Sequence, residues 1–568
     1  MKFNYQSRIR LISFGIFIFA LVIIVRLYFL QIVDNDFYIS KADKQYTSTA
    51  QKIFSRGSIF FQNKDGSLVS AATLKSGYIV AVNPEILKDP EFAYQKLNEI
   101  IPIDRDLFIT KATKLNDPYE EIVIRADEEI GQKISNLKIT GLQVFGDHWR
   151  FYPGGNIASH IIGILGYKGD EYAGRYGLER QFETELKREE GAFINFFAEI
   201  FSNIKKVANV SKDGEGDLIT TIEPTVQMYL QSVLKNVTEK YSSDSTGGII
   251  MDPSTGEIYA METYPTFDPN RPDLEKSSAI FSNPLVENVY EMGSVIKPLT
   301  ISAGIDAGVV TAKTTYYDKG FTIISGKKVS NFDSKERGIV SLQDVLSQSL
   351  NVGAAYVQSL LGNKLFSEYM LGFSLADRTG IDLPNEGRNL VTNLKSNIDI
   401  NLATAAFGQG IALTPITTIR ALSVIANGGV LVEPHTIKSI KYKIGVTKTT
   451  PITIGARVIK RETSEEVTRM LIYSVDNVLS GGSYRMPNYS IAVKTGTAQM
   501  VKPGGGGYEE DKFLHSFVGY FPAYNPKFII FLYTINPKGA RFGSETLTVP
   551  FMDTVKFLIN YYEIPPDR

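Results

Sequence analysis

Ser294 and Lys297 stand three residues apart in "VYEMGSVIKPLT", with Gly293 just before the serine and Pro298 just after the lysine. A serine hydroxyl attacks a carbonyl when a neighbouring base takes its proton. Lysine can be that base if burial and nearby positive charge keep its amine neutral. On a helix this spacing puts both side chains on one face. Pro298 has no N–H to give the serine's carbonyl, so the helix must begin close to Ser294. Free N–H groups and the positive helix end then lie beside the nucleophile. The chemistry implied is acyl transfer without histidine. The pattern alone is weak, since Ser-x-x-Lys recurs at Ser135–Lys138, Ser202–Lys205 and Ser325–Lys328. Those copies lack the Gly-before, Pro-after frame and read as structural.

Two further clusters follow. Ser349 and Asn351 lie in "SQSLNVGAAYVQSLLG", where a polar loop enters an apolar helix; helix capping is the competing reading. Lys494-Thr495-Gly496-Thr497 ends an alternating strand, and Lys75-Ser76-Gly77 is a near-copy elsewhere. Gly496 adds weight, because a strand glycine permits another backbone to come close. Order strengthens all three: 55 residues separate Ser294 from Ser349, and 145 separate Ser349 from Lys494.

The elements that must position these groups are legible as patterns. "GGIIMDPSTGEIYAMETYP" reads as a hairpin, "SIAVKTGTAQM" as a strand, and "FLHSFVGYF" with "KFIIFLYTI" as a second hairpin across Pro522–Pro526. "EPTVQMYLQSVLKNVTEKY", with Glu223 and Pro224 suited to a first turn, and "TVPFMDTVKFLINYYEI" carry helical periodicity. About five mostly antiparallel strands with helices before, between and after them predict an α+β layered domain. Upstream, "RGSIFFQNKDGSLVS" reads as strand, turn on Asn63–Gly66, strand, followed by short strands and charged helices with no reaction centre. "SKDGEGD" (211–217) marks a boundary, and "PGGGG" (503–507) a flexible loop.

Composition narrows the function classes. In 568 residues, 60 basic side chains face 61 acidic ones, without a dense basic run, which argues against nucleic acid as main partner. There is no cysteine, so thiol catalysis, disulfides and Cys-ligated zinc are excluded. The four histidines, at 148, 160, 435 and 515, form no HExxH-type metal site. "LISFGIFIFALVIIV" (11–25), then Arg26 and "LYFLQIV" to 33, supply about the 20 apolar residues that span a bilayer. Lys2, Arg8 and Arg10 precede this segment while Asp34 and Asp36 follow it, which predicts a cytoplasmic N-terminus and a single anchor.

Ser-x-x-Lys, Ser-x-Asn and Lys-Thr-Gly in this order resemble the active-site motifs of penicillin-binding proteins and serine β-lactamases. "GGIIMDPSTGEIYAMETYPTFDPN", "NPLVENVYEMGSVIKPLT", "FGQGIALTP" and "HSFVGYFPAYNP" resemble transpeptidase-domain segments of class B penicillin-binding proteins. "RGSIF", "RFYPGGNIASHIIG" and "GRYGLERQFETEL" resemble that class's pedestal motifs, so the likeness covers nearly the whole chain. Met292 departs from it, standing where many relatives have proline.

The resemblance implies a layout: tail 1–10, transmembrane anchor 11–33, pedestal of dimerisation type 34–215, and transpeptidase domain 216–568. The last has a five-stranded antiparallel sheet with helices on both faces. It also implies a mechanism. Ser294 attacks the penultimate D-Ala carbonyl of a peptidoglycan stem peptide, and Lys297 accepts its proton. Ser349 and Asn351 relay protons and hold the donor amide, and Lys494 keeps Lys297 neutral. Thr495, Gly496 and Thr497 receive the substrate along the strand edge. Backbone N–H groups of Ser294 and Thr497 form the oxyanion hole. An amine from a neighbouring stem then resolves the acyl-enzyme, without metal or cofactor, and β-lactams trap the same serine. "YEMGSVIKPLT" and "FLINYYEIPPDR" look like the septal, division-specific branch. Its members work in the cytoplasmic membrane with a SEDS-family glycosyltransferase and other division proteins, the catalytic domain lying on the outer, periplasmic face. The alternatives are an elongation-specific transpeptidase and a membrane-tethered β-lactam sensor or scaffold. A β-lactamase would need a water-activating base, and a D,D-carboxypeptidase differs only in its acceptor.

Overall fold

The computed structural model describes residues 55–188 and 214–568, apart from 170, 503 and 505, together with position 19. The anchor at 11–33, position 19 apart, Ser202–Lys205 and residues 211–213 of the 211–217 boundary lie outside the described residues. Among those described, no helix is long and apolar enough to cross a membrane.

The chain forms two compact units, and a single cut along the sequence does not separate them. The predicted first hairpin is present: β1 (Ile59–Gln62) pairs antiparallel with the start of β2 (Leu68–Val82) across a turn with Gly66 at φ 85°. From Lys75 to Trp149 the chain builds the smaller unit. There the later part of β2 pairs with β3 (Glu120–Ala126) and β4 (Leu142–Phe151). Helices α1 (Pro90–Asn98), α2 (Arg105–Ala112) and α3 (Glu128–Ser135) join them. Asp89 and Asp104 cap the first two by accepting the N–H groups of Phe92 and Leu107. Val80, Val82, Leu97 and Phe108 form the core.

The larger unit holds residues 56–74, 150–188 and the C-terminal part of the chain. Here β1 also pairs in parallel with β5 (Gly216–Thr220), which pairs antiparallel with β8 (Ile437–Tyr442). These pairings join segments far apart in sequence, Ile59 to Leu218 and Leu218 to Ile440, which local patterns could not foretell. Beside them Glu179, fully buried, takes the Nε of Arg56 and of Arg150 at 2.6 Å each. Arg56 also reaches Glu183 at 2.7 Å, and Arg150 donates to the Gly57 carbonyl. Two buried guanidinium groups thus share one carboxylate, the arrangement that makes a buried charge tolerable.

The site is carried by a five-stranded antiparallel sheet. Its strands are β6 (Ser245–Met251), β7 (Ile258–Tyr264), β9 (Ala492–Val501), β10 (Tyr508–Phe521) and β11 (Phe528–Ile535), in spatial order β9-β10-β11-β6-β7. Along β11 successive residues alternate between two cores: Ile530 and Leu532 face one, Ile529, Phe531 and Tyr533 the other. Both faces are therefore covered by helices, as the resemblance implied. One layer is α4 (Pro224–Tyr241) with α10 (Gly543–Tyr562), contributing Leu230, Leu234, Phe551 and Leu558. Glu223 caps α4 by accepting the Val226 N–H at 2.7 Å, and Pro224 fills its first turn. The opposite layer holds α5 (Lys297–Asp306), α7 (Asn351–Gly372), α8 (Pro415–Ala426) and α9 (Arg461–Tyr473). The short α6 (Leu342–Ser347) precedes α7. Strand β9 lies at the sheet's edge, so one side of its backbone has no strand beside it.

Candidate active site

Gly293–Ile296 form one 3-10 turn, and α5 starts at Lys297 with Pro298 in its first turn. The Lys297 N–H donates to the Ser294 carbonyl. The helix thus begins just after the serine, as Pro298 requires. Gly293 has φ +64°, a backbone conformation that suits glycine.

The structure brings Ser294, Lys297, Ser349 and Lys494 into one polar chain. Lys297 Nζ lies 3.0 Å from Ser294 Oγ, 3.2 Å from Ser349 Oγ and 2.6 Å from the Ser349 carbonyl. Lys494 Nζ donates to Ser349 Oγ and to the Thr495 carbonyl, each at 2.8 Å. Both amines are buried, Lys297 completely. Burial, aided by the charge of Lys494, pushes Lys297 far below the usual lysine range. Burial brings Lys494 down to about 7. A neutral Lys297 has two N–H groups and one lone pair, so it can donate to the Ser349 carbonyl and still accept a hydroxyl proton.

Ser349 does not cap α7; the N-cap position is Leu350, with no side-chain cap bond. Ser349 instead sits at φ 60°, in the left-handed region. Its carbonyl and its hydroxyl both meet Lys297, and its hydroxyl also meets Lys494. Strained backbone of this kind persists only where the surroundings hold it. Asn351 stands apart from the polar chain: its Nδ2 donates to the Ser330 carbonyl at 3.0 Å.

On β9, Lys494, Gly496 and Ala498 are buried, while Thr495 and Thr497 are partly exposed on the alternate face. Thr497 Oγ1 accepts the Gly543 N–H at 2.9 Å. A Cβ on Gly496 would lie 2.2 Å from Ser516 Oγ and 2.9 Å from the Met292 carbonyl. The strand glycine therefore does admit another backbone, that of the nucleophile loop. Ser516, on β10, donates its hydroxyl to the same Met292 carbonyl at 2.9 Å. Sequence reasoning quoted Ser516 within "HSFVGYF" without a role for it; the link spans 224 residues and no local pattern signals it. Gly408 was likewise missed. Its carbonyl accepts the Gly293 N–H at 3.2 Å, and its φ of +81° is a conformation side chains rarely adopt.

The recurrent motifs fall in ordinary structure. Ser325, at φ 50°, adjoins a hairpin turn, and Lys328 lies over the Phe321 ring. Ser135 ends α3, and Lys75 pairs with Asp127 at 2.7 Å.

Comparison with known proteins gives the family. Residues 246–554 match the penicillin-binding protein transpeptidase domain, and residues 54–220 match the penicillin-binding protein dimerisation domain. Stage V sporulation protein D of Bacillus subtilis is 30% identical over 555 residues, covering 95% of this chain and 83% of that protein. Peptidoglycan D,D-transpeptidase FtsI of Buchnera aphidicola is 25% identical, covering 97% and 94%. Among solved structures, penicillin-binding protein 2X of Streptococcus thermophilus aligns with TM-score 0.72 at 20% identity, over 90% of this chain and 81% of that one. Penicillin-binding protein 3 of Mycobacterium tuberculosis, complexed with aztreonam, aligns with TM-score 0.68 at 23% identity, over 91% and 98%. With its two domain matches, its relatives and a Ser–Lys–Ser–Lys chain whose lysines are buried, this protein belongs to the class B penicillin-binding proteins.

Proposed function

We propose that the protein is a peptidoglycan D,D-transpeptidase acting through an acyl-enzyme on Ser294. The observation that carries this reading is a fully buried Lys297 amine, depressed far below its ordinary pKa, 3.0 Å from the serine hydroxyl. Lys297 takes the Ser294 proton as Oγ bonds to the penultimate D-Ala carbonyl carbon. Backbone N–H groups of Ser294 and Thr497 receive the developing oxyanion, a contribution of about 3–4 kcal/mol per donor in such sites. Ser349, between the two amines, passes the proton to the leaving D-Ala nitrogen. Lys494 and the Thr495 and Thr497 hydroxyls receive the terminal carboxylate. Asn351 lines the donor amide's path, and Gly496 lets the nucleophile loop approach. The free edge of β9 suits a stem peptide bound as an added strand. The acyl group then passes to an amine of a neighbouring stem. β-Lactams acylate the same hydroxyl.

The septal, division-specific branch is the preferred role, on the strength of the sequence likeness around Ser294 and at the C-terminus. A relative named for stage V of sporulation supports a second reading, wall synthesis tied to that process. The apolar 11–33 segment anchors the chain in the cytoplasmic membrane with its catalytic domain outside, beside a SEDS-family glycosyltransferase. The test is intact mass of the detergent-solubilised chain after incubation with benzylpenicillin. A stable adduct, absent from Ser294→Ala, is expected. An adduct lost within seconds would identify a β-lactamase, and no adduct would sink the acyl-enzyme reading.

A further inference from the structure

From Glu291 to Thr300 only two side chains reach solvent, Glu291 and Ser294; Met292 and Gly293 between them are buried. The Glu291 carboxylate accepts the Gly410 N–H at 3.0 Å and the Tyr508 hydroxyl at 3.0 Å. Both donors are neutral, and Glu291 makes no ion pair among the described residues. Its partial burial raises its pKa, an effect the two hydrogen bonds oppose. The loop beneath it is fixed. Tyr290 and Leu413 exchange two backbone hydrogen bonds at 2.9 Å, Gly293 is tied to Gly408, and the Gly410 carbonyl accepts Asn393 Nδ2 at 2.6 Å. The carboxylate therefore sits at a set place three residues before the nucleophile.

A half-buried carboxylate between neutral donors has given up part of its hydration without gaining a counter-charge. What it lacks is a cation. The second substrate of the reaction supplies one, because a primary alkylamine is an ammonium at neutral pH. Building on the transpeptidase reading, we infer that Glu291 binds the ammonium of the acceptor stem and holds it beside the Ser294 ester. The ammonium sheds one proton to solvent and its nitrogen forms the C–N bond. The C–Oγ bond of Ser294 breaks, and Oγ recovers the amine's second proton through Lys297. Water, the competing acceptor, is neutral and gains no ion pair from the carboxylate. Glu291 thereby favours cross-linking over hydrolysis, and cationic over neutral amines.

The experiment uses the full-length chain, acylated by an acyl-D-alanyl thioester, with Nα-acetyl-lysine and methoxyamine, neutral at pH 7, as competing acceptors. Glu291→Gln keeps an acceptor for the Gly410 N–H but removes the charge. Its preference for the lysine amine over methoxyamine should fall about tenfold, the scale of one charge-assisted hydrogen bond. Tyr508→Phe keeps the carboxylate and should retain the preference. An unchanged ratio in Glu291→Gln overturns the inference. So does equal loss in Tyr508→Phe, which would make loop placement the cause. A wild type whose acyl-enzyme hydrolyses but transfers to neither amine would overturn the transpeptidase reading and this inference with it. A benzylpenicillin adduct on each variant shows that its site is folded.

Discussion

Gly496→Ala should disable the serine without touching it. The added methyl would meet Ser516 Oγ at 2.2 Å, the Met292 carbonyl at 2.9 Å and Val295 Cγ1 at 3.2 Å. Comfortable carbon contacts lie near 3.5–4.0 Å. Ser516 can rotate away, forfeiting its bond to Met292, worth about 1 kcal/mol. The Met292 carbonyl is backbone and must shift by about half an ångström or more, carrying Gly293 and Ser294 with it. Crowding of this kind costs about 1–3 kcal/mol of stability. A misplacement approaching 1 Å at a reacting atom costs on the order of 10²-fold in rate. Acylation by a fluorescent penicillin, followed by stopped flow, should therefore fall about 10²-fold, with a lower midpoint in urea. Ser516→Ala removes the hydrogen bond without crowding and should lose less than about tenfold, the worth of one such bond. If Gly496→Ala acylates within threefold of wild type, close approach of β9 does not position Ser294.

Ser349→Gly and Ser349→Ala should both lose acylation, but the glycine variant should be about 1 kcal/mol more stable in urea, because only it relieves the positive φ. Lys494 titrates near 7, so acylation by a penicillin, which carries a carboxylate, should decline above that pH in kcat/KM profiles. The same group sets a stability trend. Its folded pKa lies below the 10.5 of an ordinary lysine, so the unfolded chain binds more protons between about 7 and 10.5 and stability should rise with pH there. Lys494→Met should flatten that rise in urea melts. Glu179→Gln leaves Arg56 and Arg150 buried without their shared carboxylate and should cost about 3–5 kcal/mol. The fraction still folded should acylate as wild type does.

Local pattern revealed what local chemistry determines. The apolar/polar alternation in "SIAVKTGTAQM", the turn residues of both hairpins and the Glu223–Pro224 start of α4 each act within a few residues, and each is found where the sequence places it. The meeting of Lys297 with Ser294 was legible too, since three residues apart on a helix put both side chains on one face. The capping alternative for Ser349 and Asn351 gave way because Ser349 turns left-handed to serve two amines, a need visible only once β9 is in place. Ser516, Gly408 and Glu291 went unassigned because their partners lie on segments far away in sequence. The pairing of β5 with both β1 and β8 was hidden for the same reason.

That pairing also governs how the chain is made. Ile59 aligns with Leu218, and Leu218 in turn with Ile440. At about 5–20 residues per second, a ribosome that has finished β1 delivers β8 roughly 20–75 s later. Until then β5, once it has emerged and paired with β1, keeps an open edge where β8 will lie. Non-local pairing of this sort is slow to nucleate and leaves the strand carrying Leu218, buried in the folded protein, without its second neighbour meanwhile. Nascent chains truncated between residues 220 and 437 should accordingly be captured by holding chaperones, and release should coincide with the emergence of Ile437–Tyr442.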